Sequence, residues 1–455
     1  MVSRGGSMSE VPEPSTAYLT HLQAQVDASM ESASPLVSEF DGAPAEDHEQ
    51  LTRSVESVRD ELVGIVHTLH DDPETAYEEV RAAAYLADVL RQHGYDVTTG
   101  AHGVATALRA EVATAGFDPA RHRTVAVLSE YDALPQIGHG CGHNVIAATG
   151  VGAFLALGSL IEQGSIAGAE GRVVFLGTPA EEGHTGKEVM AAGGAFEGLD
   201  CAVMVHPFGY DTASHLFLGR RLLSVTFTGH SAHASAQPFQ GRNALDAASL
   251  AYQGIGVLRQ QMPPSDRVHA IVTGGGHRPS VIPDRAQLDL YVRSAYPDTL
   301  KDLSQRVARI MQGAALMTDT GVDLEWDAYP PSLPVRTNQT LAARWAQSQA
   351  ARGRTALPAG VVPEVLAGST DFGNVSVRMP GIHPMIAISE PDVALHTREF
   401  AAAAATERAE VAAIDGAIGL SATAWDYLAD DDLALAVRAE FEAAGGVVDV
   451  ADYFD

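Results

Sequence analysis

The chain has 455 residues, 46% of them hydrophobic, which is material for packed cores in two or three domains. Its 58 acidic against 29 basic residues leave a net charge of −29, which argues against a broad nucleic-acid-binding face or an anionic-membrane surface, so neither partner is expected. Two cysteines, Cys141 and Cys201, are too few for a disulfide framework, and nothing before residue 45 has the apolar segment of a signal peptide, so a cytoplasmic location is expected. Lys187 and Lys301 are the only lysines, a bias with no functional reading at this level.

Residues 1 to about 45 are polar and rich in Ser, Pro, Glu and Ala, and are expected to form a loose leader in which Met8 is a second candidate start. Leu51, Val55, Val58, Leu62, Ile65 and Leu69 then recur at alternating spacings of four and three, the stripe of one amphipathic helix that ends in a turn at "HDDPETAYEE". Short β-rich runs alternate with helical ones after that: "RTVAVLSE" (123–130), the uncharged stretch from Asn144 to Ile161, "GRVVFLG" (171–177), a helical patch after Lys187, and "CAVMVH" (201–206). The stretch from Asn144 is nearly long enough to span a bilayer, but its glycines and the adjoining His/Cys cluster favour a buried helix. The βαβ rhythm predicts an α/β fold with a doubly wound, mostly parallel sheet. "SEYDALP", "TPAEEGHTG" and "VHPFG" fall just beyond strand carboxyl ends, where such sheets gather functional groups.

The rhythm changes near Gly219. "RLLSVTFTG" reads as a strand, "GRNALDAASLAYQGIGVLRQQ" as a helix, "RVHAIVTGG" and "DRAQLDLYVRS" as strands, "DTLKDLSQRVARIMQGAAL" as a helix and "VDLEWDAY" as a last strand. That β-α-β-β-α-β order predicts an inserted ferredoxin-like domain over residues 218–334, which leaves through the Pro-rich "YPPSLPV". The remaining domain is then discontinuous, 46–217 and 335–455, with strand and helix signals through "HPMIAISE" and alanine-rich helix from about residue 397.

Thiolate, imidazole and carboxylate are the side chains that hold borderline divalent metals. Cys141, His143, the Glu181/Glu182 pair and His206 all follow predicted strands. Taken singly, each has an ordinary explanation: a buried cysteine as a small hydrophobe, a satisfied core histidine, a solvated glutamate face, and a turn for His139. Their joint placement at one sheet edge is what those explanations do not predict. Adjacent glutamates also suit a division of labour, in which one ligates a metal and the other moves a proton between water and a leaving amine.

Several ordered motifs, "DDPETAYEE", "YDALPQIGHGCGHN", "GTPAEEG" and "VMVHPF", resemble those of the aminoacylase/carboxypeptidase family of dinuclear metallopeptidases. The resemblance runs from about residue 50 to 420. It falls in the branch with indole-acetyl-amino-acid hydrolases, aminobenzoyl-glutamate hydrolases and β-alanyl-lysine dipeptidases. "GSTDFGNVS" (368–376) and "IHP" (382–384) look most like its dipeptidase and aminobenzoyl-glutamate side.

The resemblance implies two divalent metal ions per subunit, zinc or manganese first, with cobalt or nickel also compatible. Cys141 would bridge them, and His143, Glu182, His206 and His396 would complete the ligands. Glu181 would be the general acid/base and Asp132 would orient a ligand. The inserted domain would be a lid through which the chain forms a homodimer, with His233 reaching the active site of the partner subunit to stabilise the oxyanion. Arg293 would hold the substrate's free carboxylate, with Ser280, Asn243 and Ser369 as the other substrate-side residues. Ser280 stands where the family usually has asparagine, and Asn144 where the wider family has aspartate. The implied reaction is hydrolysis of an amide bond in an N-acyl amino acid or dipeptide-like small molecule. Deamination or carbamoyl hydrolysis at the same site is the second reading. A non-catalytic metal-binding protein is the third, and the presence of both Glu181 and His233 argues against it.

Overall fold

The computed structural model describes residues 15–165 and 167–454. Met8 and the rest of the first 14 residues lie outside that range. The part of the expected leader that is described carries helix α1 (Ala17–Ser32). Its buried Val26 packs with Tyr210, Leu357, Val361 and Val362, and Tyr210 Oη donates to Gln23 Oε1 at 2.9 Å. Contacts nearly 200 residues away order this segment, so no periodicity within it could announce the helix. The stripe from Leu51 forms two helices rather than one, α2 (Ala45–Ser57) and α3 (Arg59–Asp71), because the backbone leaves helical geometry at Val58 (φ −109°, ψ 13°).

The chain continues through α4 (Val80–Gln92), β1 (Val97–Thr99), β2 (Leu108–Ala113), β3 (Arg123–Ser129), α5 (His143–Gln163), β4 (Gly171–Gly177), α6 (Gly186–Ala192), β5 (Cys201–Val203) and β6 (His206–Phe208). "CAVMVH" is thus divided between two strands. β3 lies parallel between β4 and β5, while β1 and β2 add an antiparallel edge beside β4. Alternate residues of β3 and β4 enter two different cores: Val125, Val127, Val173 and Phe175 face one, and Ala126, Leu128, Val174 and Leu176 the other. Burial on both faces explains why these strands read as continuous apolar runs. Helix α5 is long and apolar enough to cross a membrane, yet 89% of that stretch is buried inside the protein. Gly150 allows its approach to β3, since a Cβ there would lie 2.9 Å from the Leu128 carbonyl oxygen.

A second unit follows with β7 (Gly219–Thr228), α7 (Ala244–Leu258), β8 (Arg267–Gly274), β9 (Arg285–Ser294), α8 (Pro297–Thr318) and β10 (Gly321–Trp326). Its antiparallel sheet has the order β10-β7-β9-β8. Strands β7 and β9 alternate buried and half-buried residues, and the buried set, Leu223, Val225, Phe227, Leu288 and Leu290, packs with Ala247, Ile255, Val307 and Met311 of the two helices. The opposite face carries Arg220, Tyr291 and Arg293. The chain then returns through α9 (Gln339–Ala351), α10 (Phe372–Ser376), β11 (Gly381–Ile382), β12 (Met385–Ala387), α11 (Arg398–Ala403), α12 (Glu407–Ala429) and α13 (Asp431–Ala443). β11 extends the first sheet in parallel beside β5, and β12 pairs in parallel with β6.

Candidate metal centre and active site

Three loops leave the carboxyl ends of parallel strands on one side of the sheet. The loop after β3 carries Glu130, Asp132 and, at the start of α5, Cys141 and His143. The loop after β4 carries Glu181 and Glu182, and the one after β5 leads to His206. Gly142 makes the turn into α5 with φ 79°, and a Cβ there would come within 2.9 Å of Pro207. Left-handed backbone recurs beside the reacting groups, at Ala180 (φ 60°) and at His396 itself (φ 63°). Such non-glycine positions cost on the order of 1–3 kcal/mol and persist where the surroundings over-determine them. At Ala180 the determinant is Glu79, whose Oε1 accepts from the Ala180 N–H at 2.8 Å while its Oε2 accepts from Thr106 Oγ1 at 2.9 Å. In the same early motif, Glu74 accepts the Arg81 and Ala82 N–H groups at the start of α4, at 2.7 and 2.8 Å.

Two groups of ligand atoms share one residue. Cys141, His143 and His206 bring theirs within 4.8 Å of one another, and so do Cys141, Glu182 and His396. A third group unites His143, Glu181 and Glu182, so Glu181 also lies within ligand range. His143 Nδ1 donates to Asp132 Oδ1 at 3.0 Å, and Asp132 Oδ2 accepts the Glu182 N–H at 2.8 Å. Asp132 therefore fixes both a histidine ring and the glutamate loop, and leaves His143 Nε2 facing inward. His206 Nδ1 donates to the Pro207 carbonyl at 2.6 Å, which likewise frees its Nε2. His396 Nε2 lies 3.0 Å from Cys141 Sγ and 3.6 Å from Glu182 Oε1.

The side chains fit divalent cations on two counts. His143 Nε2, Glu182 Oε1 and Glu130 Oε2 are buried with no hydrogen-bond partner, an expensive state unless an ion satisfies them. The wall also concentrates negative charge: Glu130, Asp132, Glu181, Glu182 and Asp371 are accompanied by a single lysine, Lys187. Burial, then the Glu130 and Glu182 carboxylates, hold the Glu181 pKa well above the usual carboxylate range. Burial and the two neighbouring glutamates likewise push the Cys141 thiol up, a direction that a bound cation would reverse. Burial brings His206 down to about 4, which keeps the ring neutral.

Sequence reasoning missed Lys187, Glu130 and Asp371. The Lys187 ammonium is fully buried between Glu130 Oε1 at 2.5 Å and Asp371 Oδ1 at 2.6 Å. Glu130 turns its other oxygen to within 3.4 Å of His143 Nε2. Burial opposes ionisation of Glu130, but the charges of Lys187, His143 and His206 outweigh it. The signal that could have found this network was one of only two lysines in an arginine-rich chain, close to the glutamate pair. His383 of "IHP" is also buried, stacked on Phe372 and edge-on to His206 with ring centroids 5.6 Å apart. His139 is a buried loop residue outside the ligand groups, with a pKa brought down by burial to about 3.

A cavity of about 320 Å³ opens over this wall, lined by Cys141, Glu181, Glu182, His206 and His396 on one side. Arg220 and Arg293 of the second unit and Ser369 of the loop before α10 line the other. His233, Asn243 and Ser280 do not reach it within the same chain. Ala234 N–H donates to the Ser280 carbonyl, His233 pairs with Val281, and Asn243 Oδ1 caps α7 by accepting the Leu245 N–H at 3.0 Å.

Loops at the carboxyl ends of a parallel sheet, a cysteine common to two candidate ligand groups and a second glutamate beside them are the parts that a metal-dependent hydrolase needs. The chain belongs to peptidase family M20/M25/M40, whose sequence profile matches residues 126–424. It is 37% identical over 394 residues to a Mus musculus Xaa-Arg dipeptidase, covering 85% of this chain and 90% of that protein. It is 33% identical over 307 residues to one of the subunits of p-aminobenzoyl-glutamate hydrolase of Escherichia coli, covering 62% of this chain and 61% of that protein. A dinuclear metal-binding M20 peptidase of Bacillus subtilis shares the fold, with TM-score 0.55, 19% identity and coverage of 79% and 98%. The protein is an enzyme that acts on amide bonds of small substrates, in a family of dinuclear metal-dependent peptidases.

Proposed function

We propose that the enzyme hydrolyses the amide bond of an N-acyl amino acid or dipeptide-like molecule, with Glu181 as general acid/base. The observation that carries this reading is the position of Cys141 in two ligand groups with Glu181 beside them. Cys141, His143, Glu182, His206 and His396 would hold two divalent ions, zinc or manganese. Bound there, the ions would polarise the amide carbonyl and make water acidic enough to lose a proton near neutral pH.

Glu181 takes a proton from the attacking water and returns it to the departing nitrogen. Its carboxylate, grouped with His143 and Glu182, is placed to carry the proton between those events. Asp132 holds the His143 ring in one tautomer throughout. Arg293 binds the substrate's free carboxylate, and Ser369, with a buried Oγ lacking a partner, offers a neutral donor nearby.

Residues 218–334 act as lid and dimerisation domain in this reading, and His233 of a second copy donates to the developing oxyanion. The placement of His233, Asn243 and Ser280 away from their own chain's cavity supports it. So does edge strand β8, which exposes Ile271 and Val272 by 63% and 52%. In the decisive experiment, metal-loaded protein is offered a panel of N-acyl amino acids and dipeptides with mass detection of products. Glu181→Gln is expected to keep its metal content and lose about 10²–10⁴-fold in kcat. Near-normal turnover by that variant would remove Glu181 from the mechanism, and ammonia without a free amino acid would favour deamination.

A further inference from the structure

Arg220 on β7 and Arg293 on β9 are directly opposed in the antiparallel register. Like charges in that relation repel each other. Both side chains line the cavity, and both flank one ring, with guanidinium carbons 5.2 and 5.3 Å from the Tyr291 centroid. Arg221, the next residue on β7, points to the other face and has a carboxylate partner, Asp327, at 2.6 Å. Among the described residues Arg220 and Arg293 have no such partner. Arg220 Nη2 donates only to the neutral Thr185 Oγ1 at 2.8 Å, and the buried Nε of Arg293 has no acceptor. Burial and then the Arg220 charge lower the Arg293 pKa.

The other charged groups of the cavity lining are Glu181, Glu182 and the histidines of the reacting end. No lining carboxylate remains to receive a cationic side chain. Two opposed guanidiniums call for two negative charges, and each planar fork matches a carboxylate in bidentate fashion.

We propose that Arg220 and Arg293 form a dicarboxylate clamp, so that the amine-side residue of the substrate is acidic, as in an N-acyl-glutamate or N-acyl-aspartate. One guanidinium takes the α-carboxylate and the other the side-chain carboxylate. Arg220 is then the specificity-determining residue, and the arginine preference in the name of the mouse relative does not extend to this chain. The inference rests on the amide-hydrolase reading for the identity of the substrate, but the clamp itself is testable without turnover.

Two measurements on the full-length, metal-loaded protein separate the claims. In the first, kcat/KM is compared for N-benzoyl-L-glutamate, its near-isostere N-benzoyl-L-glutamine, and N-benzoyl-L-arginine. Glutamate is expected to lead glutamine by about tenfold to a hundredfold, the range of a charged hydrogen-bonded pair, with arginine lowest. Arg220→Met should bring the glutamate-to-glutamine ratio close to one, mainly through KM, and Arg220→Lys should restore part of it. In the second, calorimetry compares binding of L-glutamate and L-glutamine, with the same preference expected and the same loss in Arg220→Met. Equal affinity for both amino acids, or a wild-type preference for the glutamine or arginine substrate, overturns the clamp. If no amide is cleaved but L-glutamate still binds preferentially, the hydrolase reading fails and the clamp stands.

Discussion

The wall that carries the metal-ligand candidates and the sheet of the second unit face each other across one cavity, yet they are held in different ways. On the wall, several groups are held by others of the same chain: His143 by Asp132, the turn before Glu181 by Glu79, and Glu130 by Lys187, which also pairs with Asp371. On the facing sheet, Arg220 and Arg293 lack carboxylate partners among the described residues, and His233 lies away from the cavity of its own chain. The difference teaches that folding of one chain orders the candidate metal wall but leaves the two facing arginines without carboxylate partners among the described residues. In the proposed function, substrate completes the arginines and a second copy supplies His233.

The largest expected effect tests the wall. Lys187→Met leaves the Glu130 and Asp371 carboxylates buried without their cation, a change that typically costs about 3–5 kcal/mol. Urea unfolding of the metal-free protein measures it directly. A loss below about 1 kcal/mol would show that the buried triad does not hold the wall together.

The next prediction concerns the facing unit. His233→Ala is expected to cost about 10²–10³-fold in kcat with little change in stability. If the histidine acts on a second copy, equal mixing of His233→Ala with Glu181→Gln subunits restores one intact site in each hybrid dimer, or roughly a quarter of wild-type activity. Failure to recover activity after subunits are dissociated and reassociated would confine His233 to its own chain.

The smallest effect falls in the segment that joins the two units. His215 packs against Phe208 and Phe217 at ring-centroid distances of 5.4 and 5.7 Å, and burial lowers its pKa to about 4. The folded pKa lies below the unfolded value of about 6.5, so the unfolded chain binds the extra proton. Stability attributable to this ring is therefore full above about pH 6.5, falls as pH drops towards 4, and levels off below that. The total is about 3 kcal/mol. His215→Phe should flatten the slope over that interval in urea titrations, and an unchanged slope would assign the acid sensitivity elsewhere.

Much of the architecture was legible in local pattern. "GRVVFLG" coincides with β4, and every element expected between residues 219 and 329 appears in the order read. Their runs carry their own period of apolar residues. The failures occurred where distant contacts decide: α1 is fastened by Tyr210, the stripe from Leu51 breaks at Val58, and "CAVMVH" changes sheets after Val203. In the site, Cys141, His143, Glu181, Glu182 and His206 were conspicuous because they follow strands. Glu130, although it directly follows β3, and Asp371 were not, since single acids are ordinary until something buries them.

By itself the sequence determined the two kinds of sheet, the candidate ligand types and the strand ends near which they gather, because these depend on short-range periodicity and on the chemistry of single side chains. Only the tertiary structure decided that Cys141 belongs to two ligand groups, that Lys187 joins acids 57 and 184 residues away, and that Arg220 faces Arg293. Those facts are matters of register and packing between segments far apart in the chain. Register is fixed when whole sheet faces are buried together, so no local stretch of sequence specifies it.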